Sequence, residues 1–391
     1  MSLNELTGEK VGVCVSGGLS SLTVVAALAD AGVRATAFIA DIGQARAADV
    51  RALAASLEAA GIPGEVVDLR ESMARQALDL VRYEARYEGG YWNTTGAARL
   101  VLVAGLSQVM RRAGCTVLAH GCVGGGNDQR RFARYTASLA PDMRVFAPWT
   151  DPDLLSQFPD RAAMAKYVLS RDLALDERCT ADYSVDGNLA GFAHEGTALE
   201  RLETPDSAAW PALTTRPERA PSEVESVTVT FDRGRPVAVG GRPGSARELV
   251  ERANAVAGRH GVGLRSVVEN RINGTKCRGV YEAPGLDLLG FCADRVYQVA
   301  MDTETLRLMR SLSGLIGVGV YEGRYFDTAV LAARAAADVL VDRASATVEV
   351  ELYKGNVSFR GMTHLADVPM PPRQTRFTGG GHAWQVTGLS A

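Results

Sequence analysis

Short apolar runs alternate with longer helical patterns over the first 150 residues, and this alternation restricts the fold more than any other feature of the sequence. The apolar runs contain few polar residues, as expected of strands that are buried on both faces. Strands and helices in alternation predict a parallel sheet that is covered by helices on both sides. The predicted strands are VGVCVS, RATAFIAD, EVVDLR, TVLAHG and RVFAPW, at residues 11–16, 34–41, 65–70, 116–121 and 144–149.

Three polar or glycine-rich segments come at or just after the ends of predicted strands. They are SGG at 16–18, ADIGQ at 40–44 and AHGCVGGGNDQ at 119–129. Open parallel sheets bind their ligands at the carboxyl ends of the strands. The sequence therefore predicts that these three segments meet at one edge of the sheet and form a ligand site there.

The second half of the chain has a different pattern, with hairpins mixed with helices. Residues 224–241 and 347–361 each predict a β-hairpin, with turns at DRG and KGN, and residues 245–261 predict a helix that Gly261 ends. Hairpins mixed with helices indicate an α+β domain. We expect the boundary between the two domains within 175–222.

Composition excludes several classes of protein. The 391 residues are 47% hydrophobic and 22% charged, and the formal charge of −3 without a basic run argues against a dedicated nucleic-acid or membrane-surface binder. No apolar stretch approaches the roughly 20 residues that span a bilayer, and the polar start MSLNELTGEK does not resemble a signal peptide. The six cysteines lack CxxC spacing, which favours a reducing cytoplasm over disulfides or a zinc site. We therefore expect a cytoplasmic protein without nucleic-acid or membrane partners.

The segment SGGLSS links the first predicted strand to the first predicted helix. A helix N-terminus offers free backbone N–H groups and the positive end of a dipole, and two glycines allow a phosphate to approach closely. The alternative is a tight turn that Ser20 or Ser21 caps, with no ligand. The segment is neither a Walker A loop nor a GxGxxG turn.

The segment HGCVGGGNDQRRF, at 120–132, has a flexible glycine loop followed by a polar helix start. One interpretation is a cradle for a zwitterionic small molecule, with Asp128 for an ammonium group and Arg131 for a carboxylate. The alternative is that Asn127 and Asp128 cap the helix and the arginines lie on the surface.

The sequence resembles the argininosuccinate synthase family of ATP-pyrophosphatase-type ligases over nearly its whole length. The resemblance is found in six segments: SGGL (16–19), ADIGQ (40–44), HGCVGGGNDQRRF (120–132), YSVDGNLAG (183–191), VVENRINGTKCRGVYEAPG (267–285) and LYKGNVSFRG (352–361). It implies an α/β fold with a parallel-sheet nucleotide-binding domain of the adenine nucleotide alpha hydrolase type at 1–175. It also implies an α+β synthetase domain for substrate binding and oligomerisation at 176–391, ending in a short C-terminal tail.

The resemblance also implies a two-step reaction with ATP and Mg²⁺ as cofactors. The ureido oxygen of citrulline attacks the α-phosphorus of ATP, pyrophosphate leaves, and the amine of aspartate then displaces AMP from the adenylate. Mg²⁺ assists the departing pyrophosphate, and the resemblance assigns it no protein ligand.

Site residues follow from the matching positions. For ATP they are Ser16, Gly17, Gly18, Leu19, Ser20, Ser21, Ala40 and Gly121. For an aspartate-like amine substrate they are Thr95, Asn127 and Asp128, and for a citrulline-like acceptor they are Tyr91, Arg131, Ser184, Glu269 and Tyr281. The alternative for Glu269 and Tyr281 is a hydrogen-bonding role between the domains.

Several positions depart from the family pattern inside these motifs. Ser20 replaces the aspartate of SGGLDTS, and four further positions lack a family side chain: Gly96 and Ala193 lack serines, Val123 a threonine and Gly125 a lysine. Trp92, Asn93 and Thr94 are also unlike the family residues. Because the changes cluster around the predicted substrates, they predict a pocket that is shaped for a different substrate.

Three functions stay open from the sequence alone. The first is an argininosuccinate-synthase-like ligase with altered specificity, and the second is an ordinary argininosuccinate synthase of arginine biosynthesis. The third is a non-catalytic nucleotide- or amino-acid-binding relative, which the loss of the loop aspartate suggests. The resemblance implies a homotetramer, although the glycine-rich tail at 372–391 is shorter than the helical extension typical of the family.

Overall fold

The computed structural model describes residues 2–44, 47–173 and 183–363. The helices are α1 (Leu19–Asp30), α2 (Ala47–Ala59), α3 (Arg70–Arg82), α4 (Thr94–Arg112), α5 (Asn127–Leu139), α6 (Pro152–Gln157), α7 (Arg161–Ser170), α8 (Ala246–Arg259), α9 (Pro284–Ala300), α10 (Thr303–Glu322) and α11 (Thr328–Leu340). The strands are β1 (Lys10–Cys14), β2 (Arg34–Asp41), β3 (Gly64–Asp68), β4 (Val117–His120), β5 (Arg144–Phe146), β6 (Tyr183–Asn188), β7 (Gly191–Gly196), β8 (Glu225–Asp232), β9 (Arg235–Val239), β10 (Arg242–Pro243), β11 (Leu264–Asn270), β12 (Lys276–Glu282), β13 (Ala346–Tyr353) and β14 (Asn356–Thr363).

The first domain contains the predicted parallel sheet. Its strands are ordered β3-β2-β1-β4-β5, and every neighbouring pair is parallel. The side chains of β1 belong to two different apolar cores. Val11 and Val13 are in the core that includes α1 and α7, and Cys14 is in the core that includes α3 and α4. This burial on both faces explains the apolar strand sequences. The predicted α/β class is confirmed.

The order of this sheet determines where a ligand can bind. Strand order reverses between β1 and β4, because β2 lies on the outer side of β1 and β5 on the outer side of β4. Open α/β sheets have their ligand crevice at such a switch point. The loops after β1 and β4 flank this crevice, and they contain two of the segments that the sequence predicts to form a ligand site.

The second domain contains two antiparallel sheets. The two predicted hairpins, β8–β9 and β13–β14, join through β8 and β13 into the five-stranded sheet β10-β9-β8-β13-β14. The other sheet has the order β11-β12-β7-β6 and faces the first domain. The predicted α+β class of this half is confirmed.

One of these apolar cores, the one that contains Cys14, continues into the second domain. Residues of α3, α4 and α5 belong to the same buried cluster as residues of α8, α9, β8 and β13. Hence α3 and α4 separate the parallel sheet from the second domain. The predicted boundary at 175/176 lies within 174–182, outside the described residues.

Candidate active site between the two domains

The loop after β1 is held in shape by its own serines. Ser21 accepts a hydrogen bond from the Ser16 backbone N–H (3.2 Å) and donates one to the Gly18 carbonyl (2.9 Å). Gly17 has a φ of +82°, a conformation that favours glycine. Gly18 then caps α1, whose first N–H groups have no partner within the helix. Ser16 is exposed and Ser20 half-buried, and the Ser16 hydroxyl also accepts a hydrogen bond from the Gly18 N–H (3.4 Å).

The other two predicted nucleotide positions lie beside this loop. A Cβ atom at Gly121, directly after β4, would be 2.7 Å from the backbone nitrogen of Ser21, so only glycine allows the two loops to pack this closely. Ala40 is buried near the end of β2, and its carbonyl accepts a hydrogen bond from the Gln44 side chain (2.8 Å). The three predicted segments therefore meet at one edge of the sheet.

The second domain covers this edge from above. The turn between β6 and β7 places the Leu189 backbone N–H 2.9 Å from the Ile42 carbonyl. A Cβ atom at Gly43 would be 2.8 Å from that of Leu189. In addition, Asn188 donates to the Thr94 carbonyl at the start of α4 (3.2 Å). The nucleotide edge and the second domain therefore form one continuous surface.

The carboxylate of Asp128, in the first turn of α5, lies between two guanidinium groups. Arg99 of α4 and Arg131 of α5 each donate to a different oxygen of Asp128, both at 2.8 Å. Burial alone would raise the pKa of Asp128, but the two arginines outweigh it and lower that pKa to about 2. Arg99 also donates to Asp186 of β6 (2.7 Å) and so joins the two domains. This network contains two cations and two anions.

A second polar cluster surrounds the carboxylate of Glu269 on β11. The hydroxyls of Tyr281 and Tyr321 donate to its two oxygens at 2.8 and 2.7 Å. Glu269 is buried, and it has no ion pair among the described residues. The Tyr91 ring stacks on Tyr281 with centroids 3.8 Å apart. This cluster is an aromatic box around one carboxyl group that has no cationic partner among the described residues.

The two clusters are connected through α5 and α10. Arg131 donates to the Tyr321 carbonyl (2.6 Å), and its guanidinium carbon lies 4.9 Å from the centre of the Tyr321 ring. Asn127 donates to the Tyr321 hydroxyl (3.0 Å) and accepts from the Ile272 N–H (3.0 Å). Thr95 donates its backbone N–H to the Tyr91 hydroxyl (2.9 Å). Except for Ser184, the residues predicted for the amine and the acceptor therefore form one connected group.

The pairing of the four-stranded sheet places further predicted residues on the face that borders this network. Directly paired residues in adjacent strands point to the same face of a sheet. Ala193 pairs with both Tyr281 and Asp186, and Ser184 pairs with Glu195. Ser184 is exposed on this face, whereas Ala193 is buried.

The positions that depart from the family pattern have different environments. A Cβ atom at Gly96 would be 2.7 Å from the Val320 carbonyl, so the backbone of α10 occupies the space that a serine would need. Trp92 is buried between the domains and donates its indole N–H to Asp287 of α9 (2.8 Å). Val123 and Gly125 are exposed in the loop before α5, and a Cβ atom at Gly125 would meet no other atom within 4 Å.

His120 ends β4 next to the nucleotide edge. Burial lowers the pKa of His120 to about 4, so the ring is neutral at physiological pH. Its Nδ1 accepts from the Cys122 N–H (3.2 Å), which leaves the proton on Nε2. Nε2 is buried and has no partner among the described residues.

Comparison with known proteins agrees with this arrangement. The profile of the arginosuccinate synthase N-terminal HUP domain matches residues 10–168, and that of the arginosuccinate synthase C-terminal domain matches residues 183–366. The chain belongs to the argininosuccinate synthase family. Members of this family are carbon–nitrogen ligases that use ATP and produce AMP and pyrophosphate.

Individual relatives are similar over most of both chains. The argininosuccinate synthase of Erythrobacter litoralis is 33% identical over 362 residues, which is 90% of this chain and 88% of the relative. The argininosuccinate synthase of Idiomarina loihiensis is 34% identical over 354 residues, 90% of this chain and 86% of the relative.

Sequence reasoning did not identify Arg99, Asp186 and Tyr321 as parts of the site. Asp186 lies inside YSVDGNLAG, and Arg99 lies three residues after Gly96, so both are close in sequence to positions named above. Tyr321 lies at the end of α10, in a segment without any local signal. Among the described residues there is no group of three or more His, Cys, Asp or Glu side chains that could hold a metal ion, and no helix long and apolar enough to cross a membrane.

The packing of Gly96 predicts the effect of restoring the family serine. We expect Gly96→Ser to lower the free energy of unfolding by about 1–3 kcal/mol, because the new side chain collides with the backbone of α10. Gly314→Ser is the matched control, since that glycine also lies in a helix and a Cβ there meets nothing within 4 Å. Urea denaturation measures both. Equal stability of the two variants would show that α10 leaves room for a side chain at position 96.

Proposed function

We propose that this protein is an ATP-dependent ligase that adenylates a ureido or carbonyl oxygen and joins the activated carbon to an amine. The substrate oxygen attacks the α-phosphorus of ATP and pyrophosphate leaves. The amine, of aspartate or a related amino acid, then displaces AMP. Positioning and charge neutralisation supply most of the catalysis in such a reaction.

The proposal for ATP is supported by the helix start after β1. Gly17, Gly18 and the free N–H groups of α1 form a setting suited to a phosphate. The close packing of Gly121 on Ser21 brings a second loop to the same crevice. Mg²⁺ would enter with ATP and neutralise charge on the departing pyrophosphate, without a dedicated protein site.

The proposal for amino-acid substrates is supported by the charges of the cleft. Arg99 and Arg131 can attract carboxylates, and the uncompensated Glu269 can attract an ammonium group. The tyrosines around Glu269 add aromatic faces, which also favour a cation. Charges of both signs within one cleft suit zwitterions, whereas the protein would have little affinity for an apolar substrate.

We also propose that the substrate specificity is altered, and the packing of Gly96 against Val320 supports this proposal. In this chain the position expected to hold a substrate-facing serine has neither the hydroxyl nor the space for it. Ala193 and Val123 lack two further hydroxyls. A lost hydrogen bond to a charged ligand group costs about 1.5–3 kcal/mol, so three together would weaken citrulline and aspartate binding strongly.

Ordinary argininosuccinate synthase activity is the second candidate. It is favoured because the sequence is 33% identical, over 90% of the chain, to a relative named argininosuccinate synthase. It is also favoured by the presence of Tyr91, Arg131, Ser184, Glu269 and Tyr281, the full set predicted for the acceptor.

A pyrophosphate-release assay with ATP and Mg²⁺ distinguishes the two candidates. We expect kcat/KM with citrulline plus aspartate to be at least about 100-fold below that with another pair from a panel of ureido acids, amino acids and amines, because three missing hydrogen bonds correspond to that loss or more. Efficient turnover with citrulline and aspartate would favour ordinary synthase activity. No release with any pair would contradict both candidates.

A pair of glycine variants tests the nucleotide loop. Gly17 and Gly32 both have positive φ, at +82° and +73°, so Ala at either position introduces similar backbone strain. We expect both variants to lose similar stability, about 1 kcal/mol, and only Gly17→Ala to weaken ATP binding, by about 10-fold. Isothermal titration calorimetry measures the affinity. Equal ATP affinity in the two variants would remove the loop from the nucleotide site.

We also propose that the protein is a homo-oligomer, with a tetramer as the expectation from the family. Exposed apolar side chains along α10, at Leu308, Leu315 and Val318, support this proposal because such residues favour an interface. The short glycine-rich tail, which makes a tetramer less expected, comprises residues 372–391. These residues lie outside the described residues. Mass photometry is expected to give four times the 41.5 kDa chain mass, and a monomer would contradict the proposal.

A further inference from the structure

Glu195 occupies a place in the cleft to which no role has been assigned. It lies on β7 and pairs with Ser184 of β6, two residues beyond the pairing of Ala193 with Asp186. It therefore shares the sheet face of Ser184, Asp186 and Tyr281. Its side chain is exposed to water in the cleft.

The charged groups around Glu195 come from four elements. They are Asp186 of β6, Asp128 of α5, Arg99 of α4 and Arg271 of the turn between β11 and β12. Asp128 and Asp186 are paired with Arg99, and Arg271 is paired with Glu200 (2.9 Å). The Glu195 carboxylate itself has no ion pair and no hydrogen bond with any described residue. It is the free carboxylate next to the residues proposed for the amine.

The amine substrate requires a base at this place. An α-amino group is protonated at neutral pH, and an ammonium group has no lone pair with which to attack the adenylate. Two other groups nearby are unsuited to accept a proton. The two arginines lower the pKa of Asp128 to about 2, and His120 is buried with its one acceptor nitrogen already bonded.

We propose that Glu195 is the general base of the amine step, and that it removes a proton from the ammonium group of the incoming amino acid. This inference rests on the proposed function. The N–H bond of the ammonium group breaks and an O–H bond forms on Glu195, which leaves the electron pair on nitrogen. That pair forms the bond to the adenylated carbon, the bond from this carbon to the phosphate oxygen breaks, and AMP leaves with the electron pair of that bond. The surplus proton on nitrogen passes to the AMP phosphate or water, and Glu195 returns its own proton to the water of the cleft.

The electrostatics of the cleft agree with this role. Protein atoms around the side chain remove part of its hydration, and this effect, with the charges of Asp186 and Asp128, raises the pKa of Glu195 to about 7. A general base is most effective when its pKa is near the working pH. Because the pKa is raised, Glu195 is neutral below about pH 7 and can act as a base only above it.

The Glu195→Gln variant separates the two steps of the reaction. Exchange of labelled pyrophosphate into ATP, with the best acceptor of the panel and no amine, reports adenylation alone. We expect this exchange to stay within about 3-fold of wild type, while the amine-dependent kcat falls by about 100-fold or more. Glu203→Gln is the matched control, because Glu203 is an exposed carboxylate paired only with Arg201 (3.7 Å), and it should change neither rate.

The pH profile tests the chemistry independently of any loss of structure. The wild-type amine step should lose activity as the pH falls through about 7, and Glu195→Asp should keep such an acid limb. In Glu195→Gln the limb should move to more alkaline pH, toward the pKa of the free α-amino group, since free amine must then form in water.

Other results of these experiments would contradict either the role of Glu195 or the proposed function. Equal loss of exchange and amine-dependent rate in Glu195→Gln, or an unchanged acid limb, would overturn the role of Glu195. Absence of exchange in the wild type with every acceptor would overturn the proposed function, and the role of Glu195 with it.

Discussion

The double ion pair of Asp128 is the interaction on which the cleft depends. Its carboxylate keeps two guanidinium groups close together, and one of them, Arg99, reaches Asp186 in the second domain. Removing one partner from this part-buried group leaves a charge without compensation, which is destabilising. The network therefore sets the distance between α5, α4 and the four-stranded sheet. It also means that Asp128 orients cations rather than accepting protons, since both its oxygens are engaged and its pKa is about 2.

Close backbone packing complements this electrostatic link. Gly121 allows the loop after β4 to lie against the start of α1, and Gly96 allows α10 to lie against α4. In both cases a single Cβ atom would separate the elements. The glycine at 121 keeps two predicted ligand loops together, and the glycine at 96 lets the second domain approach the acceptor cluster. The departures from the family pattern are therefore partly changes in packing, and only partly losses of polar groups.

The carboxyl groups of the site differ in their partners. Around Asp128 the cations and anions balance, whereas Glu269 and Glu195 have no cationic partner among the described residues. The hydroxyls of Tyr281 and Tyr321 donate hydrogen bonds to the two oxygens of Glu269. Glu195 lacks such donors and is surrounded by other carboxylates. The same residue type thus has an environment for binding a cation at one position and for accepting a proton at the other.

The sequence by itself determined the parallel sheet, both hairpins and the three loops at the edge of the sheet. These features depend on local periodicity and on turn residues. Both can be recognised from about ten neighbouring positions of the sequence. Only the tertiary structure decided that β8 pairs with β13, that Tyr321 joins Glu269, and that α10 fills the space beside Gly96. These contacts connect positions that are far apart in the chain. Their geometry depends on how whole elements pack, and no local pattern of residues contains that information.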